Sequence, residues 1–340
     1  MIRAMPPLRI AIDAMGGDYG PRATVLGAAL ALAQRPDASA TLYGKRHLLD
    51  VELSRLPATL YHVRDRLDFI EAGDRLPVDM TPSRILREAP TGSLHACLAA
   101  LRAGEARACV SAEHTGAVMA LARRDVGMLA NVARPAISAA IPTVSQRPCY
   151  MLDLGANVDV RAEHLVDFAF MGAAMVRLVD SIQLPRVGLL NVGTESSKGE
   201  RRVREADALL RAHESSHFEY IGYVEGDALF TGNTDVAVCD GMVGNVALKS
   251  SEGLARMLGT RLLGEFQTGW YARMVGWLAT PVLRRFMREL NPVRYNGASF
   301  LGLKATVVKS HGSAQAEGFA YAVRRAVDEA TMNLPERLML

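Results

Sequence analysis

The sequence of 340 residues has few of the features that mark metal-binding, secreted or membrane-spanning proteins. Its four cysteines form no C-x-x-C pair: they are Cys97, Cys109, Cys149 and Cys239. This scatter argues against a disulfide framework and a metal site, and it is typical of reduced thiols in a cytoplasmic protein. The first residues lack the apolar core of a secretion signal. No uncharged apolar run is long enough to predict a membrane span.

Strong net charge and the common nucleotide-binding motifs are also missing. The net charge of +3 is too small to favour nucleic acid as a partner. Neither G-x-x-x-x-G-K-[ST] nor G-x-G-x-x-G occurs, which disfavours a P-loop enzyme and a nicotinamide dehydrogenase. The nucleophile elbow G-x-S-x-G is absent as well, so the sequence offers no familiar site for covalent catalysis by serine.

The chain instead repeats a succession of apolar strand, glycine-rich loop and helix. The first unit is a predicted strand, Leu8–Ile12, then the loop from Asp13 to Asp18, then Pro21 at the first position of a helix. Further strands are predicted at 40–44, 60–63, 108–111, 149–152, 186–191, 218–224, 234–239 and 305–309. This alternation predicts an α/β fold with a doubly wound, mostly parallel sheet in an α/β/α sandwich. No clear linker divides the chain, so we expect residues 1–340 to form one large unit, with two lobes as the alternative.

In an open α/β sheet the loops after the carboxyl ends of the strands share one edge, where ligands bind. Polar residues of several loops are therefore expected to converge: Asp13, Asp18, Thr115, Asp153, Asn157, Lys198, Asp240, Asn245 and His311. Such residues, with glycine N–H groups, suit the binding of an anion and the stabilisation of an oxyanion. Five of them also have a structural interpretation: Lys198 as a solvated loop lysine, Asn245 as a helix N-cap, His311 as a core histidine, and Asp153 and Asp240 as acceptors for loop backbone N–H groups.

Several of these stretches carry a specific resemblance to a known family. They are Ile10–Asp18 with Pro21, Leu152–Asn157, Leu189–Glu195 with Lys198-Gly199, Asp240-Gly241 with Gly244–Lys249 and Glu252-Gly253, Leu301-Gly302, and His311-Gly312. In this order they resemble the bacterial phosphate acyltransferases of phospholipid synthesis, the PlsX family, from about residue 8 to residue 330.

The resemblance implies an activity and its partners. Acyl-[acyl carrier protein] and inorganic phosphate would give acyl phosphate and free carrier protein, without an organic cofactor. A downstream glycerol-3-phosphate acyltransferase would use the acyl phosphate. The family also implies a homodimer with a fold similar to phosphotransacetylases and the isopropylmalate dehydrogenase group.

Carried over by motif, Lys198 and Asn245 are the predicted catalytic residues. The predicted substrate-binding residues are Asp13, Gly16, Gly17, Asp18, Thr115, Asp153, Asn157, Asp240 and His311. Two segments depart from the family pattern. Glu113-His114 stands where a glycine and an asparagine are usual, and Arg87–Ser93 lacks an expected basic pair.

One segment is predicted to contact a membrane surface. Residues 266–288 hold both tryptophans, Trp270 and Trp277, and only Arg273 is charged before the cluster Arg284, Arg285 and Arg288. This pattern is typical of an interfacial helix more than of a spanning one. We therefore expect residues 258–292 to form a protruding helical segment for dimer or membrane contact, in a cytoplasmic protein that associates peripherally with the membrane. A buried helix is the alternative.

Two other functions fit the same residues. A phosphotransacetylase-like enzyme would use coenzyme A thioesters with the same loops, and a non-catalytic scaffold would bind carrier protein and membrane. Because carrier protein is acidic, we expect it to dock on basic residues just after the Lys198 loop, namely Arg201, Arg202 and Arg204.

Overall fold

The computed structural model describes residues 8–77, 80–88, 91–145, 147–213 and 215–338. Its strands are β1 (Leu8–Asp13), β2 (Ala38–Gly44), β3 (Leu67–Glu71), β4 (Ala108–Ser111), β5 (Ala136–Ile141), β6 (Cys149–Leu152), β7 (Arg186–Leu190), β8 (Glu219–Val224), β9 (Val236–Val238), β10 (Ala298–Leu301) and β11 (Thr306–Lys309). Its α-helices are α1 (Pro21–Gln34), α2 (Arg46–Ser54), α3 (Pro82–Glu88), α4 (Ser93–Arg102), α5 (Thr115–Asp125), α6 (Ala162–Val179), α7 (Arg201–Ala212), α8 (Gly241–Glu265), α9 (Gly269–Leu290), α10 (Ala316–Thr331) and α11 (Leu334–Arg337). Short 3-10 segments cover Ala58–Arg66, Ala228–Phe230 and Pro292–Tyr295.

The strands form one sheet in the order β3-β2-β1-β4-β11-β10-β5-β6-β9-β7-β8. A first set, β3, β2, β1, β4 and β11, is parallel throughout, and so is a second set, β6, β9, β7 and β8. Between them, β10 and β5 are each antiparallel to both neighbours. These three antiparallel pairings mean that the two sets run in opposite directions. Their carboxyl ends therefore lie at opposite edges of the sheet.

Helices cover both faces of this sheet, as the alternation of side chains along the strands requires. Ile10 and Ile12 of β1 pack in one apolar cluster with α1 and α10, whereas Ala11 between them belongs to the opposite face, with α4 and α5. In the second set, Val236 and Val238 pack under α6 and α7, and Ala237 faces the other way. The result is a three-layer α/β/α arrangement with a core on each side of the sheet.

The predicted fold class is confirmed, with local corrections. Leu60–Val63 is not a strand: it lies in the 3-10 segment Ala58–Arg66, and the neighbouring strand is β3 alone. The antiparallel strands β5 and β10 have no counterpart among the predicted strands. The expectation that all carboxyl-end loops share one edge is wrong, because β5 and β10 reverse the direction of the second set.

Helices α8 and α9 form an antiparallel hairpin, called the α8–α9 hairpin below. Where the two helices touch, Gly259 packs against Met287 and Gly276 packs against Phe266. A Cβ built at either glycine would lie within 2.9 Å of that partner side chain. Among the described side chains of α9, none is buried. No helix of the described ranges is long and apolar enough to cross a membrane.

Candidate functional site

At the carboxyl end of β1, Asp13 holds the first loop in place. Its carboxylate is fully buried and accepts hydrogen bonds from Ser93 Oγ at 2.5 Å and from Ser111 Oγ at 2.6 Å. Burial raises the pKa of Asp13, while these hydroxyl donors lower it. Because Ser93 begins α4 and Ser111 ends β4, Asp13 ties three elements together.

The following glycines bring the first loop against the loop after β11. Gly17 has a φ of 84°, and a Cβ there would lie 2.8 Å from Ala112 Cβ and 3.0 Å from the Gly312 oxygen. The Asp18 N–H donates to that same Gly312 oxygen at 2.8 Å, and the Asp18 side chain is exposed. Gly16 is equally confined, with a Cβ position 2.6 Å from Asp13 Oδ2. A side chain at Gly17 would therefore separate the two loops.

His311, just beyond β11, meets α8. Its Nε2 lies 2.8 Å from Lys249 Nζ, and Lys249 also pairs with Glu252 at 3.0 Å. Partial burial and the charges of Lys249 and Lys309 lower the pKa of His311. Lys309 is half-buried at the end of β11, and burial, with the charge of Lys249, lowers its pKa to about 8. The structure thus adds two lysines to the predicted His311.

The loop after β4 contributes a buried acid where the family pattern differs. Glu113 is 2% exposed, and its Oε1 accepts from Leu76 N–H at 3.2 Å. Burial and the nearby Asp13 raise the pKa of Glu113 to about 7. His114 caps α5 by accepting from Ala117 N–H at 3.2 Å, and its Nε2 has no hydrogen-bond partner within the described ranges.

Neighbouring residues complete this edge. Arg75 donates to the Gly17 oxygen at 3.1 Å, so the segment before α3 is joined to the first loop. The predicted Thr115 is the first residue of α5 and is half-buried. Residues 89 and 90 of the departing segment Arg87–Ser93 lie outside the described residues.

At the opposite edge, Asp153 and Asn157 organise the loop after β6. The buried Asp153 carboxylate accepts from the backbone N–H of Ile137 at 2.8 Å and of Asn157 at 2.6 Å. Asn157 Nδ2 donates to Asp153 Oδ2 at 3.0 Å and to the Pro135 oxygen at 2.7 Å. Burial raises the pKa of Asp153 and these donors lower it. The contacts of both side chains hold the shape of the loop.

The start of α8 packs directly on that loop. Asp240 is the N-cap and accepts from Met242 and Val243 N–H at 2.9 and 3.0 Å, so the predicted alternative of Asn245 as the cap is wrong. The approach is close: a Cβ at Gly244 would lie 1.9 Å from the Asp153 oxygen. Asn245 is exposed in the second turn, next to the positive end of the helix dipole.

Lys198 lies exposed on the loop after β7. The loop holds itself together, because Asn191 Nδ2 donates to the oxygens of Gly193 at 3.2 Å and Lys198 at 3.3 Å. The loop leads into α7, whose Arg202 pairs with Asp240 at 3.0 Å. This ion pair anchors the Lys198 loop beside the start of α8.

The two edges are connected along one face of α8. Asn245 and Lys249 are four residues apart, so they neighbour each other on the helix surface. Asn245 lies by the β6 loop, since the Cβ position of Gly155 is 3.8 Å from Asn245 Cβ, whereas Lys249 contacts His311 at the first edge. The predicted residues thus form two groups that α8 joins, instead of one cluster at one edge.

Sequence reasoning missed Lys309, Glu113 and Arg75 as members of this region and did not assign Lys249 to the site. The signal available was position: Lys309 ends a strand, and Lys249 follows Asn245 by four residues. Both are the spacings that bring side chains to a common site.

The sequence also contains the metalloprotease-like pattern H-E-x-x-H at His213–His217. That pattern requires both histidines on one face of a helix. Here α7 ends at Ala212, the His213 ring packs edge-on against Phe170, and His217 Nδ1 contacts Arg177. Within the described ranges, no group of three or more His, Cys, Asp or Glu residues could hold a metal ion.

Comparison with known proteins places the chain among relatives of similar length. A model of the fatty acid synthesis protein family matches residues 8–337. The phosphate acyltransferase of Pseudomonas putida is 48% identical over 329 residues, covering 97% of this chain and 96% of the relative. The phosphate acyltransferase of Pseudomonas syringae pv. syringae is 49% identical over 329 residues, covering 97% and 95%.

Solved structures share the fold at low sequence identity. A phosphotransacetylase from Streptococcus pyogenes gives a TM-score of 0.64 at 16% identity, covering 96% of this chain and 94% of that one. The EutD phosphotransacetylase from Staphylococcus aureus gives 0.58 at 16% identity with the same coverage. The family predicted from the sequence motifs is confirmed by the first comparisons and the fold by these. The chain is an enzyme and belongs to the fatty acid synthesis protein family, the bacterial phosphate acyltransferases.

Proposed function

We propose that this enzyme transfers an acyl group from acyl carrier protein to inorganic phosphate, giving an acyl phosphate that a glycerol-3-phosphate acyltransferase uses in phospholipid synthesis. Helix α8 is the observation that carries the proposal. It presents the Asn245 amide beside a helix N-terminus and, one turn later, Lys249 against His311. An amide donor suits a developing oxyanion, and cationic donors suit phosphate.

The buried thiols of this chain favour direct attack by phosphate over an acyl-cysteine intermediate. All four cysteines are buried, and burial raises the pKa of Cys149 to about 12. A buried protonated thiol is a poor nucleophile, so an acyl-cysteine intermediate is disfavoured. Phosphate is itself nucleophilic near neutral pH. Its oxygen forms the bond to the thioester carbon, the carbon–sulfur bond breaks, and the phosphate proton passes to the thiolate.

Lys198 and Asn245 have distinct tasks in this proposal. Asn245 donates to the oxyanion of the tetrahedral intermediate, supported by the dipole of α8. Lys198, exposed on its loop, offsets the negative charge that phosphate and thioester oxygen bring together. Asp153, Asn157 and Asp240 hold the loop and helix start on which Asn245 depends.

Carrier protein would dock on the start of α7. Arg201 and Arg204, called the α7 patch below, are both exposed and lie next to the Lys198 loop. Arg202 is excluded from this patch because it is half-buried and pairs with the buried Asp240 at 3.0 Å, whereas the ion pair of Arg201 with Glu205, at 3.5 Å, is exposed. An acidic carrier protein would be guided there by charge complementarity.

The α8–α9 hairpin supports the proposed contacts with a membrane surface and with a second copy of the chain. Trp270 is 78% exposed and Trp277 is 76% exposed, seven residues apart on one face of α9. Exposed tryptophans next to arginines favour the headgroup region of a cytoplasmic membrane surface. The exposed Leu254 and Met257 of α8 are candidates for the homodimer contact.

The test is acyl phosphate formation by the purified protein with phosphate and either acyl carrier protein or coenzyme A thioesters. We expect product with the carrier-protein thioester at a much higher kcat/KM. Asn245→Ala and Lys198→Ala should each lower kcat about 100-fold, the effect of losing one charge-stabilising donor. Asn233→Ala and Lys304→Ala, at exposed positions, are the matched controls.

Each other outcome contradicts a defined part of the proposal. Preference for the coenzyme A thioester would make the enzyme phosphotransacetylase-like. Product formation unaffected by both site substitutions would remove Asn245 and Lys198 from catalysis. If neither thioester gives acyl phosphate, the proposed function is overturned and the non-catalytic scaffold is favoured.

A further inference from the structure

The exposed cluster where α8 meets the loop after β11 has the composition of an anion-binding site. Lys249 Nζ is 2.8 Å from His311 Nε2, and His311 Nδ1 is 2.9 Å from Ser313 Oγ. An ammonium group can only donate, so Nε2 accepts from Lys249. On the other side of the ring, Nδ1 lies within hydrogen-bond distance of both the Ser313 hydroxyl and, at 3.3 Å, the Ser313 backbone N–H. A neutral imidazole is therefore held against a cation at the protein surface.

The charges around this cluster are of both signs, two lysines against three carboxylates. Lys249 and Lys309 are the cations, and the carboxylates nearby are Glu252, Asp18 and Glu113. Despite these acids, the pKa values of both Lys309 and His311 are lowered, by burial first and by the charge of Lys249 second. An anion placed between these groups would relieve the repulsion between them.

The location also favours a ligand. The cluster lies beyond the carboxyl end of β11, beside the glycine loop after β1, which is where open α/β sheets bind ligands. The exposed side chains of Lys249, His311 and Ser313 leave it accessible from solvent. Four residues of helix separate Lys249 from Asn245, a rise of about 6 Å.

We propose that Lys249 and His311, with Lys309 behind them, bind the inorganic phosphate that attacks the thioester. This assignment rests on the proposed function and names the phosphate subsite within it. Asn245 and Lys249 are four residues apart on α8, a backbone rise of about 6 Å, so a phosphate on Lys249 would lie on the same face of the helix as the carbonyl that Asn245 polarises. The phosphate of the carrier protein's prosthetic arm lies a long chain away from the thioester sulfur, so it fits this position less well.

The experiment compares Lys249→Met with wild type in two measurements. Calorimetric titration with inorganic phosphate alone should show binding to wild type that is at least tenfold weaker in the variant. In the acyl phosphate assay, KM for phosphate should rise at least tenfold, with KM for the acyl carrier protein within twofold of wild type. Lys304→Met, an exposed lysine before β11, should change neither.

Glu252, which pairs with Lys249, provides a second variant with an expected effect opposite to that of Lys249→Met. Glu252→Gln removes a carboxylate from the cluster and should lower KM for phosphate. If the effect of Lys249→Met came only from leaving Glu252 unpaired, the double variant Lys249→Met/Glu252→Gln would recover wild-type KM, and the inference would be wrong. A retained defect in the double variant supports direct contact.

The remaining outcomes separate this inference from the proposed function. An active wild type with an unchanged phosphate KM in Lys249→Met overturns the subsite and leaves the function standing. A rise in the thioester KM alone assigns the cluster to the carrier arm and also overturns it. If wild type makes no acyl phosphate, the function fails, and the titration decides alone: phosphate binding lost in Lys249→Met supports the anion site, and no binding to wild type refutes it.

Discussion

The buried acid Glu113 makes the stability of this protein depend on pH in a way that one substitution should remove. Its pKa is about 7, against 4.5 for an ordinary glutamate, because burial disfavours the ionised form. The difference corresponds to about 3 kcal/mol at pH values above both. Since Glu113 is 2% exposed, solvent screening does little to reduce this figure.

Whether stability rises or falls with pH depends on which state, folded or unfolded, releases the Glu113 proton at the lower pH. As pH rises from 4.5 towards 7, the unfolded chain loses the proton of this glutamate while the folded protein keeps it, so the wild type loses stability. Above about pH 7 both states are ionised and the penalty stays constant. Glu113→Gln keeps the oxygen that accepts from Leu76 N–H but never ionises.

We therefore expect Glu113→Gln to be more stable than wild type by about 3 kcal/mol at pH 8 and nearly equal to it at pH 4.5. Urea unfolding at half-unit intervals from pH 4.5 to 8.5 measures this difference directly. Glu225→Gln, at an exposed loop position, should give a small difference that does not change with pH. A pH-independent difference for Glu113→Gln, or a wild type that is the more stable at pH 8, would refute the reasoning.

Three further predictions concern the helix start, the hairpin and the docking patch. Gly244→Ala should destabilise the protein by at least about 2 kcal/mol in urea unfolding, because its Cβ would overlap the Asp153 oxygen; Gly253→Ala, in open space on the same helix, should stabilise it by about 0.5–1 kcal/mol. Replacing Met274 and both tryptophans of α9 by Ser should reduce co-sedimentation with anionic vesicles, and unchanged binding would exclude α9 as the contact. Reversing both charges of the α7 patch to Glu should raise KM for acyl carrier protein more than it lowers kcat, and the wild-type KM should rise with salt; a salt-insensitive KM would count against docking there.

The sequence predicted those parts of the fold that depend on local pattern. Buried strands such as β1 and β4 were recognisable because apolar residues end abruptly at a polar glycine loop, and Pro21 marked the start of α1. The prediction of a strand at Leu60–Val63, inside the 3-10 segment Ala58–Arg66, was wrong because Leu60 and Val63 are both apolar and buried. A short apolar run does not distinguish the two conformations.

Strand direction was the main property that local pattern could not supply. Strand–helix alternation predicts parallel neighbours. In contrast, β5 contains the small residues Ser138, Ala139 and Ala140 and is not followed by the glycine loop by which the other strands were recognised. Its antiparallel pairing with β6 and β10 depends on partners distant in the chain. The candidate residues were therefore identified individually, while their division between two edges required the three-dimensional structure.

Because the candidate residues are divided between two edges of the sheet, helix α8 carries the residues proposed to bind both reactants. If Asn245 takes the thioester oxygen and Lys249 the phosphate, the backbone spacing of these two residues is set by one helical turn and its hydrogen bonds. Inserting a single residue between them would lengthen the separation by only about 1.5 Å but would turn one side chain by about 100° away from the other. Catalysis should therefore be sensitive to any change in the helical phase of α8 between Asn245 and Lys249.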